Sequence, residues 1–360
     1  MSERTHNALD KARSGGRLDE AEALALFEEG TLLELGEAAN AVRRRLHPAP
    51  DVTYIVDRNI NYANACVTGC SFCAFHRPPG HPEEYILTRE ALAGKIRETK
   101  DAGGIQILLQ GGNHPALRLE WYEDLLRFMK SFDIHVHGFS PPEIRHFAAL
   151  NGLPVREVLV RLRAAGLDSV PGGGAEILVD RVRRQISPRK ATTGQWLEVM
   201  EEAHRLGMKT TATMVFGHVE TPADRVEHLR RLREQQDRSL ARGNGGGYTA
   251  FICWSMQTEN TALAGMRPAG AHEYLRTLAV SRLFLDNFPN VQASWVTQGE
   301  KVAQLALLFG ANDMGSTMLE ENVVRQAGAS FRMTEARIRA VIEDLGLRPR
   351  RRNQAYEILE

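Results

Sequence analysis

Three cysteines fall within eight residues, Cys66-Val-Thr-Gly-Cys70-Ser-Phe-Cys73, in a chain of 360 residues that has only four. Their spacing is C-x3-C-x2-C. Three thiolates can hold three irons of a cubane 4Fe–4S cluster and leave the fourth iron without a protein ligand. An open iron can bind a small molecule through an amino group and a carboxylate. Cys66, Cys70 and Cys73 are therefore read as metal ligands. A zinc site would ask for a fourth donor, and His76 stands close enough to offer one. A disulfide would leave one of the three thiols over. Phe72 and Phe75 flank the last cysteine, and Phe75 could lie against an adenine.

Other residues with chemical potential stand where apolar runs end. Gly111-Gly112 follows Ile105-Gln-Ile-Leu-Leu109. Without side chains, these glycines can let backbone groups reach an amine or carboxylate. Gly172-Gly-Gly174 lacks the lysine and spacing of a phosphate loop, and instead brings Glu176 forward as an acceptor for ribose hydroxyls. Histidines recur at the same kind of position: His114, His137 and His218. His218 with Glu220 makes a pair that could take up a proton. His135 and His137 share a strand face, but no third zinc ligand is evident. Cys253, inside the apolar run Tyr248 to Trp254, is read as core.

These residues need a scaffold, and the chain's patterning supplies one. Apolar content is 43%, and 45 basic residues balance 45 acidic ones. That balance leaves no electrostatic footprint for nucleic acid or an anionic membrane. No apolar run reaches membrane-spanning length. The first residues lack the apolar segment of a signal peptide, which predicts a reducing, cytoplasmic setting suited to thiolate-bound iron. Residues 10 to 47 read as two or three helices. From about residue 52, strand and helix alternate with mostly short connections, giving about eight strands. Such alternation implies parallel strands with helical crossovers. The expected fold is α/β: a (β/α)8 TIM-type barrel over 51–330, with an N-terminal helical extension (1–50) and a C-terminal helix and tail (331–360). Function in such a barrel sits at the carboxyl ends of the strands, where the polar and glycine-rich clusters fall. The basic run Arg348-Pro-Arg-Arg-Arg352 is read as a solvated tail.

With these residues in view, the chain resembles the radical S-adenosylmethionine (radical SAM) enzymes of the futalosine route to menaquinone. The resemblance rests on Asp57-Arg-Asn-Ile-Asn-Tyr62 ahead of the cysteines and on Cys73-Ala-Phe75. It extends through Ile107-Leu-Leu-Gln-Gly-Gly112, Phe139-Ser-Pro-Pro-Glu-Ile144, Ala165 to Ile177, Thr211 to Thr221, Ala293 to Gly299 and Gly310 to Gly315. It covers roughly residues 50 to 330. Relatives that share the cysteine spacing include aminofutalosine synthase and the deazaflavin-cofactor synthases. The stretches Gly217 to Thr221 and Ser294 to Gly299 favour the cyclising branch. That branch implies a 4Fe–4S cluster on Cys66, Cys70 and Cys73, and S-adenosylmethionine as the molecule on the open iron. It implies dehypoxanthine futalosine as substrate, with hydrogen taken from ribose C4′ and the sugar carbon added to the benzoate ring. An electron donor such as flavodoxin or ferredoxin is implied as partner. By resemblance, Phe75, Gly111, Gly112, Ser140 and Glu176 would hold the cofactor, and Arg181 or Lys190 would meet its carboxylate. His114, His137, Ser294 and Gln298 would meet substrate, and His218 and Glu220 would handle the proton. The other readings are an aminofutalosine synthase and, from another class, a non-catalytic iron–sulfur electron carrier.

Overall fold

The computed structural model describes residues 2–359. Ten strands form one sheet: β1 (Asp51–Ile55), β2 (Asp57–Asn61), β3 (Gln106–Gln110), β4 (His135–Gly138), β5 (Ser169–Val170), β6 (Lys209–Phe216), β7 (Gly247–Ser255), β8 (Asn290–Gln292), β9 (Asp313–Ser316) and β10 (Arg348–Arg351). All pairings are parallel, in the order β10-β1-β9-β8-β7-β6-β5-β4-β3-β2. β1 and β2 are two halves of one stretch with only Val56 between them. The first half pairs with β9 and β10, and the second with β3. The same piece of chain therefore lies at both ends of the strand order, and the sheet curls back onto itself. Counting that stretch once gives eight staves, the expected (β/α)8 barrel, with β10 as an addition.

β10 overturns one expectation. The basic run 348–352 is not a solvated tail. Arg348 to Arg351 pair with Asp51 to Tyr54, and Arg352 is buried, with its Nε 2.5 Å and one terminal nitrogen 2.9 Å from the two oxygens of Asp313. Two acidic groups on the barrel wall, Asp313 and Asp57, draw this arginine inward.

Helices lie outside the strands because their apolar stripes must be buried against the sheet. Their starts are written locally. Ser140 and Glu143 form a capping box ahead of the helix Pro141–Asn151, and Thr221 and Asp224 form one ahead of Pro222–Ala241. The N-terminal extension is three helices: α1 (Glu3–Arg13), α2 (Glu20–Glu29) and α3 (Leu32–Leu46). They pack on the helices Pro222–Ala241 and Ala271–Phe284. Buried Arg233 ties them down, donating to the carbonyls of Leu18 (2.8 Å) and Phe284 (3.1 Å). Cys253 is fully buried in β7, as core. Among the described residues, no helix is long and apolar enough to cross a membrane.

The barrel interior departs from the usual filling of branched apolar side chains. Asp57, Asn59 and Asn61 of β2, Gln106 and Gln110 of β3, His137 of β4, Thr211 and Thr213 of β6 and Gln292 of β8 all line one cavity. A polar interior cannot close into a dry core without leaving hydrogen-bonding groups unpaired. It stays open, as a space of about 410 Å3.

Candidate active site

The cysteine loop hangs from the carboxyl end of β2 at the mouth of this cavity, and all three cysteines line it. The loop is held by its backbone. Cys66 donates to the Arg77 carbonyl (2.9 Å), Val67 to that of Asn113 (3.1 Å) and Ser71 to that of Ile186 (2.9 Å). Gly69 turns the chain with φ of 53°, in the left-handed region. The thiols are free. Burial pushes the Cys70 thiol up to about 11, with Lys190 pulling the other way. Burial opposes ionisation of Cys73 too, but hydrogen bonds and charge from His76 outweigh it and lower that thiol.

Three free thiols on one loop fit a cluster that keeps one iron unliganded. They do not fit the zinc alternative. His76 turns Nδ1 to the Cys73 carbonyl (2.8 Å). Among the described residues, no three His, Cys, Asp or Glu side chains converge on a single-ion site, as zinc would require.

Beside the cysteine loop stands a buried charge cluster. Glu176 is 3% exposed and holds φ of 40°, a strained conformation for a residue with a side chain. Its carboxylate pairs with Lys190 (2.9 Å) and Arg183 (3.5 Å). Burial alone would raise its pKa, but these two cations hold it below the ordinary value. The Lys190 ammonium also lies 5.4 Å from the centre of the Phe72 ring.

A second buried carboxylate, Glu143, braces the β3 and β4 ends. It accepts from Gly111 N (3.0 Å), Tyr62 OH (2.8 Å), Ser140 N (2.8 Å) and Ser140 Oγ (2.5 Å). The glycines beside it have a structural reason. A Cβ on Gly112 would sit 2.1 Å from the Ala65 carbonyl oxygen, and one on Gly111 2.5 Å from the Tyr62 ring. The close approach is between β3 and the segment that leads to Cys66. Packing alone therefore requires glycine at both positions.

Phe75, Gly111, Gly112, Ser140, Glu176, Lys190, His137 and Ser294 all line the cavity together with the cysteines. Five other expected site residues do not line it. Arg181 points away and pairs with Asp224. His114 lies 3.3 Å from Glu84. Gln298 donates to Ser255 Oγ (2.7 Å). His218 and Glu220 line a separate hollow beside Arg225, His272 and Glu273. His218 bonds the Val215 carbonyl through Nε2 (3.0 Å), and its Nδ1 accepts from Val219 N (2.8 Å). Glu220 accepts from Gly217 N, His218 N and Arg225. With both ring nitrogens engaged and burial keeping it neutral, His218 clamps the turn after β6. It presents no free base to the cavity.

The sequence reading took Asp57, Asn59 and Asn61 only as part of the resembling stretch and assigned them no place in the interior, although they alternate at strand period. It also missed Arg352, Gln354 and Tyr356, which line the cavity from the C-terminal segment.

A family model described as the Radical SAM superfamily matches residues 60–232, and one described as the CofH/MqnC C-terminal region matches residues 245–360. A relative from Halalkalibacterium halodurans named cyclic dehypoxanthine futalosine synthase is 44% identical over 98% of this chain and 94% of its own length. One of the same name from Streptomyces coelicolor is 44% identical over 98% and 88%. A relative from Methanoculleus marisnigri, named 5-amino-6-(D-ribitylamino)uracil–L-tyrosine 4-hydroxyphenyl transferase, is 40% identical over 98% and 96%. Among solved structures, the FeFe-hydrogenase maturase HydG from Carboxydothermus hydrogenoformans superposes with a TM-score of 0.76 at 18% identity, covering 98% of this chain and 81% of that one. Methylornithine synthase gives 0.72 at 19%, covering 95% and 97%. At such identities the likeness is one of fold.

Proposed function

The chain belongs to the radical SAM superfamily and is an enzyme, and from that membership we propose that it cyclises dehypoxanthine futalosine to cyclic dehypoxanthine futalosine in menaquinone biosynthesis. The observation that carries this reading is the 44% identity, over nearly the whole chain, to two relatives named for that product. Cys66, Cys70 and Cys73 would hold the cluster. When bound, it supplies the electron that cleaves S-adenosylmethionine into methionine and a 5′-deoxyadenosyl radical. Phe75, with Gly111, Gly112 and Ser140, would seat the adenosine and amino-acid ends. Glu176, kept anionic by Lys190 and Arg183, would accept ribose hydroxyls, and Lys190 would face the carboxylate. The polar interior would hold the substrate's hydroxyls so that ribose C4′ meets the 5′ carbon, and the barrel wall would exclude water from the radical. Hydrogen leaves C4′, the sugar carbon bonds to the benzoate ring, and loss of one electron and one proton restores aromaticity. Ser294 and His137, which line the cavity, would contact the substrate. A one-electron carrier such as flavodoxin or ferredoxin would reduce the cluster.

The 40% identity to the hydroxyphenyl transferase supports a second reading of equal coverage. One experiment separates them. The reconstituted protein is incubated anaerobically with reductant and S-adenosylmethionine, in parallel with dehypoxanthine futalosine and with 5-amino-6-(D-ribitylamino)uracil plus tyrosine. Mass analysis should find the cyclised product in the first reaction only, with deuterium from C4′ appearing in 5′-deoxyadenosine. Product in the second reaction alone would reverse the assignment.

A further inference from the structure

Rearomatisation releases a proton inside the cavity, and the pair expected to take it, His218 and Glu220, does not line that cavity. The cavity does contain a histidine, His137, which is 5% exposed. Its Nδ1 lies 2.7 Å from Ser169 Oγ, and the same hydroxyl lies 2.8 Å from His135 Nε2. Ser169 is fully buried, whereas His135 is half-buried at the first position of β4. That position is at the amino end of the strands, opposite the cysteines. The three side chains thus form a continuous hydrogen-bonded line from the cavity to the far face of the barrel. The line has a consistent direction. Gln354 Nε2, 3.3 Å away, faces His137 Nε2. An amide donor there leaves Nε2 as acceptor and puts the ring proton on Nδ1. Nδ1–H then donates to Ser169 Oγ, and Ser169 O–H donates to His135 Nε2. At 3.3 Å the Gln354 contact is long, and a substrate group or water can displace it.

We propose that His137, Ser169 and His135 form a proton exit through the floor of the barrel, used when the substrate ring regains aromaticity. This rests on the cyclisation reading above. The ring carbon gives a proton to His137 Nε2. His137 passes its Nδ1 proton to Ser169, Ser169 passes its own to His135 Nε2, and His135 releases its Nδ1 proton to solvent. One proton crosses and no electron does. The electron leaves separately, to a one-electron acceptor, a role that a cluster held by Cys66, Cys70 and Cys73 would supply when bound. Burial makes His137 a weak base, which suffices because a ring carbon that has lost an electron is a strong acid. Ser169 and His135 act through His137 and are positioning residues.

The test has two arms. In the first, Ser169→Ala is compared with wild type in cofactor-free protein by 15N NMR of labelled histidine. His137 should be protonated at Nδ1 in wild type, and Ser169→Ala should shift the His135 Nε2 resonance; histidine spectra unchanged by the substitution would overturn the relay without reference to any activity. In the second, Ser169→Ala should lower kcat for cyclisation by about tenfold or more with KM unchanged. The first-turnover burst of 5′-deoxyadenosine should stay at the wild-type rate, and Ser169→Thr should restore kcat. His135→Gln should give the same split. A wild-type kcat in Ser169→Ala, or a burst that falls in step with kcat, would overturn the relay. Absence of cyclised product from wild type would instead overturn the function assigned above, leaving the NMR arm to decide the relay.

Discussion

Lys190 and Glu176 show how single residues set the electrostatics of this cavity. Glu176 is nearly fully buried and yet ionised, because two cations compensate the loss of water. Breaking a buried pair from one side costs more than the pair contributes, since a charge is left uncompensated. Lys190→Met should therefore destabilise the protein by about 3 kcal/mol at neutral pH. The folded pKa of Glu176 lies below its ordinary 4.5. The stabilisation it carries is thus complete above that ordinary value and is lost as pH falls through the folded value. Urea unfolding at neutral pH and at about pH 3 should show the Lys190→Met deficit shrinking in acid; an equal deficit at both would refute the linkage. Much at this scale was legible. C-x3-C-x2-C is a local pattern, and Glu176 and Lys190 stand near each other in sequence. His218 and Glu220 are also neighbours in sequence, but which side of a strand end they face is decided by the turn, where Val215, Val219 and Arg225 claim them.

At the scale of elements, two short segments set the two ends of the cavity. The β3 end approaches the cysteine segment so closely that a Cβ on Gly112 would meet a backbone oxygen, which cannot swing aside. At Gly69 the clash is with the tip of Arg189, which can move, although φ is positive there. Gly112→Ala should therefore displace the loop and lower cluster occupancy by about half or more, because packed backbone has no slack. Iron and sulfide analysis after reconstitution checks this, with Gly69→Ala expected to lose less. At the other end, β10 carries Arg352 into the floor. Arg352→Leu leaves Asp313, which is 0% exposed, as a lone buried charge and should cost about 3 kcal/mol or more. Replacing Asp313 by Leu as well should recover part of that loss in denaturant melts, because the two residues are coupled. Strands β3, β6 and β7 were readable from their apolar runs. β10 was not, because a run of arginines and a proline carries no strand signal until its acidic partners, some 40 and 300 residues away, are placed beside it.

For the molecule as a whole, the question is why so large a barrel keeps a polar interior. An apolar filling would add burial and remove unpaired groups. Instead Asn59, 3% exposed, and Gln106, 2% exposed, each hold a carbonyl oxygen with no protein partner. Such groups cost about 1 kcal/mol or more each when left unsatisfied. The fold carries that cost elsewhere, in the apolar seams between strands and helices and in the N-terminal helices that Arg233 anchors. The interior is then reserved for a ligand able to satisfy those oxygens, and stability and activity should trade against each other there. Asn59→Leu removes an unpartnered oxygen at similar volume and should raise the unfolding free energy by about 1 kcal/mol. The same change removes an acceptor that a hydroxyl of the substrate would use. Discrimination of that kind, through a hydrogen bond lost in a buried site, should lower kcat/KM by about a hundredfold or more. Cluster content should be unchanged, because Asn59 sits within β2 and the cysteines lie beyond that strand's end. Melting curves, iron analysis and turnover on one preparation decide the matter. A variant both less stable and fully active would mean that the Asn59 amide serves the fold rather than the substrate.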